Sequence, residues 1–167
     1  ARLSSLATTP FVVPLTFSTV VDGVDCRVLL DSGASTDACS TELAVKLGLS
    51  IDTASTRTFT VANGVDASST GLVDLTVPLM GASDETSYRH AFSVFPALPY
   101  DLILGMPFHT RTDVRVDNQR RCFVVQGVTV TADADTHVAT VSHLQLKRLL
   151  RKGCDAGVVT FRPDIPS

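Results

Sequence analysis

Glycine and proline are sparse, 10 and 8 in 167 residues, and 44% of the chain is hydrophobic against 19% charged. That balance excludes a disordered or fibrous polypeptide and leaves a globular one, with room for a single domain and a tail. A basic excess is missing too. Fourteen Lys and Arg face 17 Asp and Glu, a net charge of −3, so nothing neutralises a phosphate backbone and no direct nucleic-acid partner is expected. Long apolar runs are absent: residues 28–30 and 102–104 fall far short of the roughly 20 that cross a bilayer, so no membrane segment is expected. The start, Ala1-Arg2-Leu3-Ser4-Ser5, carries no basic-then-apolar signal and no initiating Met. It reads as an excised piece of something longer, and localisation leans to the cytoplasm.

Several chemistries lack their residues. His90, His109, His137 and His143 include no pair at a metal-binding spacing, and no Cys-x-x-Cys accompanies them, so neither a metal nor another cofactor is expected. Cys26, Cys39, Cys122 and Cys154 lie far apart and read as buried free thiols, because disulfide-stapled scaffolds are smaller and denser in cysteine. No Gly-x-x-x-x-Gly-Lys occurs, which removes a phosphate-binding loop. Residues 33–37, Gly-Ala-Ser-Thr-Asp, lack the second glycine of a nucleophile elbow, which argues against a serine hydrolase.

What is present is mostly short strands. Residues 11–21 and 24–30 are rich in β-branched and apolar types and are separated by Asp22-Gly23, the signature of a hairpin with a tight turn. A second hairpin is signalled by residues 58–62, Asn63-Gly64 and a small, polar return to Gly71. Its weakly apolar arms suit a flap over a surface better than a strand pair in a core. Val73, Leu75, Val77 and Leu79 alternate with Asp74, Thr76 and Pro78, giving a half-buried strand whose proline favours an edge or a strand end. Further strands are expected at 88–95, at 102–104, and at 114–116 paired with 122–125. Ser40 or Thr41 caps a short helix with Leu43, Ala44 and Leu47 on one face and Gly48 as its stop; Ser142 caps another through Lys152. The fold class is therefore all-β, a barrel or sandwich with one or two short helices.

The segment that carries chemistry is Val28-Leu29-Leu30-Asp31-Ser32-Gly33-Ala34-Ser35, a carboxylate placed where an apolar strand ends in a glycine turn. Gly33 lets the backbone approach another chain or a substrate, and Ser32 supplies a hydroxyl able to lock the loop. Asp-Ser-Gly alone is as compatible with an ordinary β-turn. Its context is more specific: Tyr100-Asp101-Leu102-Ile103-Leu104-Gly105-Met106-Pro107 is a second apolar strand ending at a glycine, with the Asn63-Gly64 hairpin between the two.

This order of motifs, across residues 11–130, resembles the retropepsin family of aspartic proteases, and among them those of Ty3/gypsy-type long-terminal-repeat retrotransposons. Ser32 stands where Thr is commoner, and the loop at 81–87 is longer than in compact retroviral enzymes. The resemblance implies a retropepsin-like closed barrel, half of a pepsin, with a flap hairpin. It implies an aspartic endopeptidase active as a homodimer on a polypeptide substrate, with polyprotein processing as its task and virus-like particles as one setting. Carried across residue by residue, Asp31 is catalytic and Ser32 and Gly33 support its loop. Gly33, Ala34, Val61, Ala62, Asn63 and Gly64 bind an extended peptide. The rival reading is a catalytically silent fold kept for dimerisation or peptide binding. The domain is expected at 11–131, after an N-terminal segment 1–10 and before a tail or linker 132–167 with a short helix, in which residues 141–165 resemble a polyprotein linker. The strand that ends the domain is expected at 124–130.

Overall fold

A computed structural model describes residues 14–60, 66–79 and 86–133. The expected tail helix from Ser142 and the loop residues 80–85 lie outside them. Among the described residues no helix is long and apolar enough to cross a membrane.

Strands β1 (Leu15–Val21) and β2 (Val24–Leu30) form the first hairpin, paired from Leu15 with Leu30 to Val21 with Val24. Asp22 and Gly23 take φ of 45° and 80°, the left-handed pair that matches the right-handed twist of the arms. Phe17, Val21, Cys26, Val28 and Leu30 point into the core while Ser18, Asp25 and Arg27 face outward, the period-2 pattern of a half-buried strand. The sheet continues through β3 (Ala38–Ser40), β6 (Gly71–Pro78), β7 (Ser87–Phe95) and β8 (Leu102–Leu104), in the order β1-β2-β8-β3-β7-β6. It curls so that its two edge strands, β1 and β6, come together. At the seam no ladder joins β1 to β6; instead the Thr19 hydroxyl donates to the Pro78 carbonyl at 2.6 Å. Pro78, with no N–H to give, ends its strand there.

A separate hairpin pairs β4 (Thr58–Thr60) with β5 (Asp66–Ser68). A three-stranded sheet sets β10 (Cys122–Val125) between β9 (Arg115–Asp117) and β11 (Val128–Thr131). The single terminal strand expected at 124–130 is instead broken at Gln126-Gly127, with φ of 51° and 78°, a tight turn that folds the run into the β10–β11 hairpin. The chain also stays attached beyond residue 131: the Asp133 N–H donates to the Thr16 carbonyl at 2.7 Å. Its carboxylate accepts the Ser18 N–H and hydroxyl at 3.2 and 2.9 Å. Those bonds cover part of the open edge of β1.

Helix α1 (Thr41–Lys46) forms as its sequence signals: the Ser40 hydroxyl accepts the Leu43 N–H at 3.1 Å, and Leu43 and Ala44 are buried. Gly48 follows at φ 64°, and the Leu49 N–H closes on the Ala44 carbonyl at 2.9 Å. Helix α2 (Met106–Thr112) was not foreseen from the sequence. Its Phe108 is fully buried, edge-on to Tyr88 at 4.9 Å and to Phe123 at 6.4 Å between ring centres. Phe17 packs on Phe123 at 5.2 Å. Aromatic contacts thus join the first hairpin, α2 and the three-stranded sheet in one core.

Two of the four thiols are seen as expected, and a third is free but less buried. Cys26 and Cys39 are free and buried, and Cys122 is free and half-buried. Burial pushes the Cys26 thiol up to about 11 and the Cys39 thiol up to about 12, which keeps both protonated and unreactive. Cys154 lies outside the described residues.

Candidate active site

The strand order dictates how Asp31 is held. β8 lies between β2, to which it is parallel (Val28 with Leu102, Leu30 with Leu104), and β3, to which it is antiparallel (Ala38 with Ile103). The chain leaving β2 must therefore cross over the end of β8 to become β3, and the segment that crosses is residues 31–37. Asp101 sets the start of β8: its carboxylate accepts the Arg27 N–H at 2.8 Å and its carbonyl the Ser40 N–H at 2.9 Å. At the other end the Asp31 N–H donates to the Leu104 carbonyl at 3.0 Å, and the Met106 N–H to the Ala34 carbonyl at 2.8 Å.

Gly105 is the point of crossing. A Cβ there would sit 2.3 Å from the Thr36 carbonyl oxygen and 2.7 Å from that of Ala34. These are main-chain atoms that cannot swing aside, so the glycine is required by close approach rather than by a positive φ. Gly105→Ala is expected to lower stability by about 3 kcal/mol, the upper end for overpacking. The midpoint of urea unfolding measures it.

Within the loop the Gly33 N–H donates to Asp31 Oδ1 at 2.9 Å and the Ala34 N–H to the Asp31 carbonyl at 3.1 Å. Asp31 is half-buried, and among the described residues its carboxylate is hydrogen-bonded through Oδ1 alone. Ser32 is exposed, and its hydroxyl makes no hydrogen bond among the described residues. Within one chain the loop is locked by main-chain groups, by the two aspartates at its ends and by the Thr36 hydroxyl, which meets the Ser93 hydroxyl at 3.1 Å.

Asp31, Gly33 and Ala34 line a groove of about 670 Å³, with Phe59 and Ala67 from the β4–β5 hairpin and Phe95 from the end of β7. The Phe59 and Phe95 rings meet at 5.7 Å, so hairpin and barrel share one apolar wall. The hairpin therefore lies over the groove where the sequence places a flap. Thr60 and Ala67 come from its two arms, while Val61, Ala62, Asn63 and Gly64 lie outside the described residues.

Sequence reasoning missed a second carboxylate. Asp37 is fully buried. Its Oδ1 accepts the Gly105 N–H at 2.7 Å, and its Oδ2 meets the Tyr88 hydroxyl at 2.7 Å and His90 Nδ1 at 2.8 Å. Burial, then the hydrogen bond to Asp37, pushes the Tyr88 phenol well above its ordinary range, so it stays a donor. His109 on α2 is driven by burial toward neutral imidazole, against a smaller opposing pull from Asp31 and Asp37. No signal in one sequence pairs Asp37 with His90, because strand crossing alone brings them together.

A curled sheet that ends one strand in a half-buried carboxylate, beside an open groove under a hairpin, is the retropepsin-like fold. It aligns, over 76% of this chain and 99% of the other, with the crystal structure of the retroviral protease-like domain of Ddi1 from Leishmania major, at a TM-score of 0.57 and 18% identity. A retropepsin-like aspartic protease from Rickettsia conorii aligns over 62% of this chain and 76% of its own, at a TM-score of 0.42 and 21% identity. No curated protein matches the sequence. The chain belongs to the aspartyl protease family, whose profile matches residues 17–108, more than half of its length.

Proposed function

We propose that the protein is an aspartic endopeptidase that acts as a homodimer. The observation that carries this reading is a half-buried Asp31, held on one oxygen by the Gly33 N–H, lining a groove of about 670 Å³. Peptide hydrolysis by carboxylates alone needs two of them about 3 Å apart sharing one proton. The chain contains one Asp-Ser-Gly. A two-fold axis through the site supplies the second carboxylate from another copy. One carboxylate takes a proton from water as the water oxygen attacks the peptide carbonyl, and the other gives its proton to the carbonyl oxygen. The tetrahedral intermediate then collapses, the C–N bond breaks, and a proton passes to the amine.

The dimer also gives the exposed Ser32 hydroxyl a role, a hydrogen bond across the two-fold axis. The flap tip, Val61 to Gly64, with Gly33 and Ala34, offers main-chain groups to an extended substrate in the manner of an added strand. Polyprotein processing in a Ty3/gypsy-type element, within cytoplasmic virus-like particles, is the biological setting that the motif order supports. The test is digestion of an unstructured polypeptide across pH, with and without a peptide carrying a hydroxyl-bearing tetrahedral centre in place of the scissile amide. The expected result is a bell-shaped profile centred below neutrality and stoichiometric inhibition. Absence of cleavage by a proven dimer at every pH would leave a silent peptide-binding domain.

A further inference from the structure

The mechanism uses Asp31 and leaves the other loop carboxylate, Asp37, without a task. Asp37 is fully buried yet holds three polar contacts. A buried carboxylate costs several kcal/mol of lost hydration, so its bonds bear on what the site must keep fixed. The two oxygens divide the work. Oδ2 faces Tyr88 and His90, two side chains of β7. Oδ1 faces the main-chain N–H of Gly105 at the crossing point. The Asp37 main chain is tied as well: its carbonyl accepts the Ser93 N–H at 2.9 Å and the Thr36 hydroxyl at 3.1 Å.

Gly105 lies between Leu104, whose carbonyl holds the Asp31 N–H, and Met106, whose N–H holds the Ala34 carbonyl. The turn that Asp37 grips is thus the one that brackets the Asp31 loop on both sides. We propose that Asp37, anchored to β7 by His90 and Tyr88, is a positioning residue that pins this turn beneath the loop and fixes where Asp31 presents its carboxylate. His90 is suited to the anchor because Nδ1 faces Asp37 while the side chain is 20% exposed. Its Nδ1 contact at 2.8 Å ties the buried carboxylate to β7 beside the Tyr88 hydroxyl. The catalytic consequence rests on the endopeptidase reading; the clamp itself does not.

The experiment compares wild type, Asp37→Asn, Asp37→Leu and Tyr88→Phe as full chains, by amide hydrogen exchange and by steady-state cleavage. Asn keeps one carbonyl oxygen for Gly105 but loses the charge, so the amides of Asp31, Gly105 and Met106 should exchange about tenfold faster, reflecting the loss of a charge-assisted bond. Amides of the β1–β2 and β10–β11 hairpins should stay within about twofold, as expected of separate opening units. Tyr88→Phe leaves the Gly105 bond in place but removes one of the two β7 anchors, so it should speed these three amides by less than Asp37→Asn does. Asp37→Leu removes both acceptors and should exceed Asn in effect; if it does not fold, Asn and Tyr88→Phe decide the matter. In cleavage, Asp37→Asn should lower kcat by about 10²-fold, the size expected of a misplaced catalytic group, with KM nearly unchanged. Uniformly faster exchange across the barrel, or unchanged exchange at Asp31, Gly105 and Met106, would overturn the clamp. Local loosening in a wild-type chain that cleaves nothing would sustain the clamp and count against the endopeptidase.

Discussion

Asp31→Asn should abolish peptide cleavage, with a loss of about 10⁴-fold or more, because one substitution removes both the acid and the base from a symmetric pair and each such role is worth about 10²–10⁴-fold. Asn is close in shape, and its carbonyl oxygen can still accept the Gly33 N–H that now bonds Asp31 Oδ1 at 2.9 Å. The loop should therefore keep its form. Asp31 is also only half-buried, and no packing is lost with the charge. Thermal unfolding of the variant should match that of wild type within a few degrees, so inactivity could not be blamed on a collapsed barrel. The two measurements belong together, cleavage of an unstructured peptide beside a circular-dichroism melt. Turnover within tenfold of wild type would remove Asp31 from the mechanism and return Asp-Ser-Gly to the status of a β-turn.

That Asp31 could be picked out from sequence at all follows from local physics. A strand-ending carboxylate, a glycine turn and an apolar strand with its own terminal glycine are each written in consecutive residues. So are the Asp22-Gly23 turn, with its two positive φ values, and the α1 cap, where Ser40 accepts the Leu43 N–H. Helix α2 was hidden for a physical reason. Gly105 at its cap supplies no side-chain bond, and Pro107 follows a strand. The start thus looks like a strand ending in a turn, though Pro in a first helical turn is a known opening signal. The run at 124–130 misled in the opposite sense: its β-branched residues promise one strand, and only the left-handed Gln126 and Gly127 show two. Asp37 was illegible because its partners lie 51, 53 and 68 positions away. A polar residue opening a buried strand hints that partners exist, but it does not name them. The same holds for the groove, where Phe59 and Phe95 meet across elements that no local pattern connects.

Dilution should extinguish the activity. One chain carries one Asp-Ser-Gly, so a monomer has no second carboxylate, and the rate depends on the concentration of dimer. Well below the dissociation constant, dimer grows as the square of total protein. Activity per milligram should then fall in proportion to dilution and level off at high concentration. The midpoint should agree with the dissociation constant from sedimentation. Mixing supplies a sharper form of the same argument. Combined with an equal amount of Asp31→Asn and allowed to exchange, the wild-type chain should keep about half its specific activity, because random pairing in a two-fold dimer places only half of its copies with an intact partner. A large excess of Asp31→Asn should silence it almost completely. A chain that completed its site alone would ignore the variant and keep a constant specific activity on dilution. Its second carboxylate would then have to come from within the same chain, and Asp37, fully buried and engaged by Gly105, Tyr88 and His90, has no free oxygen to serve.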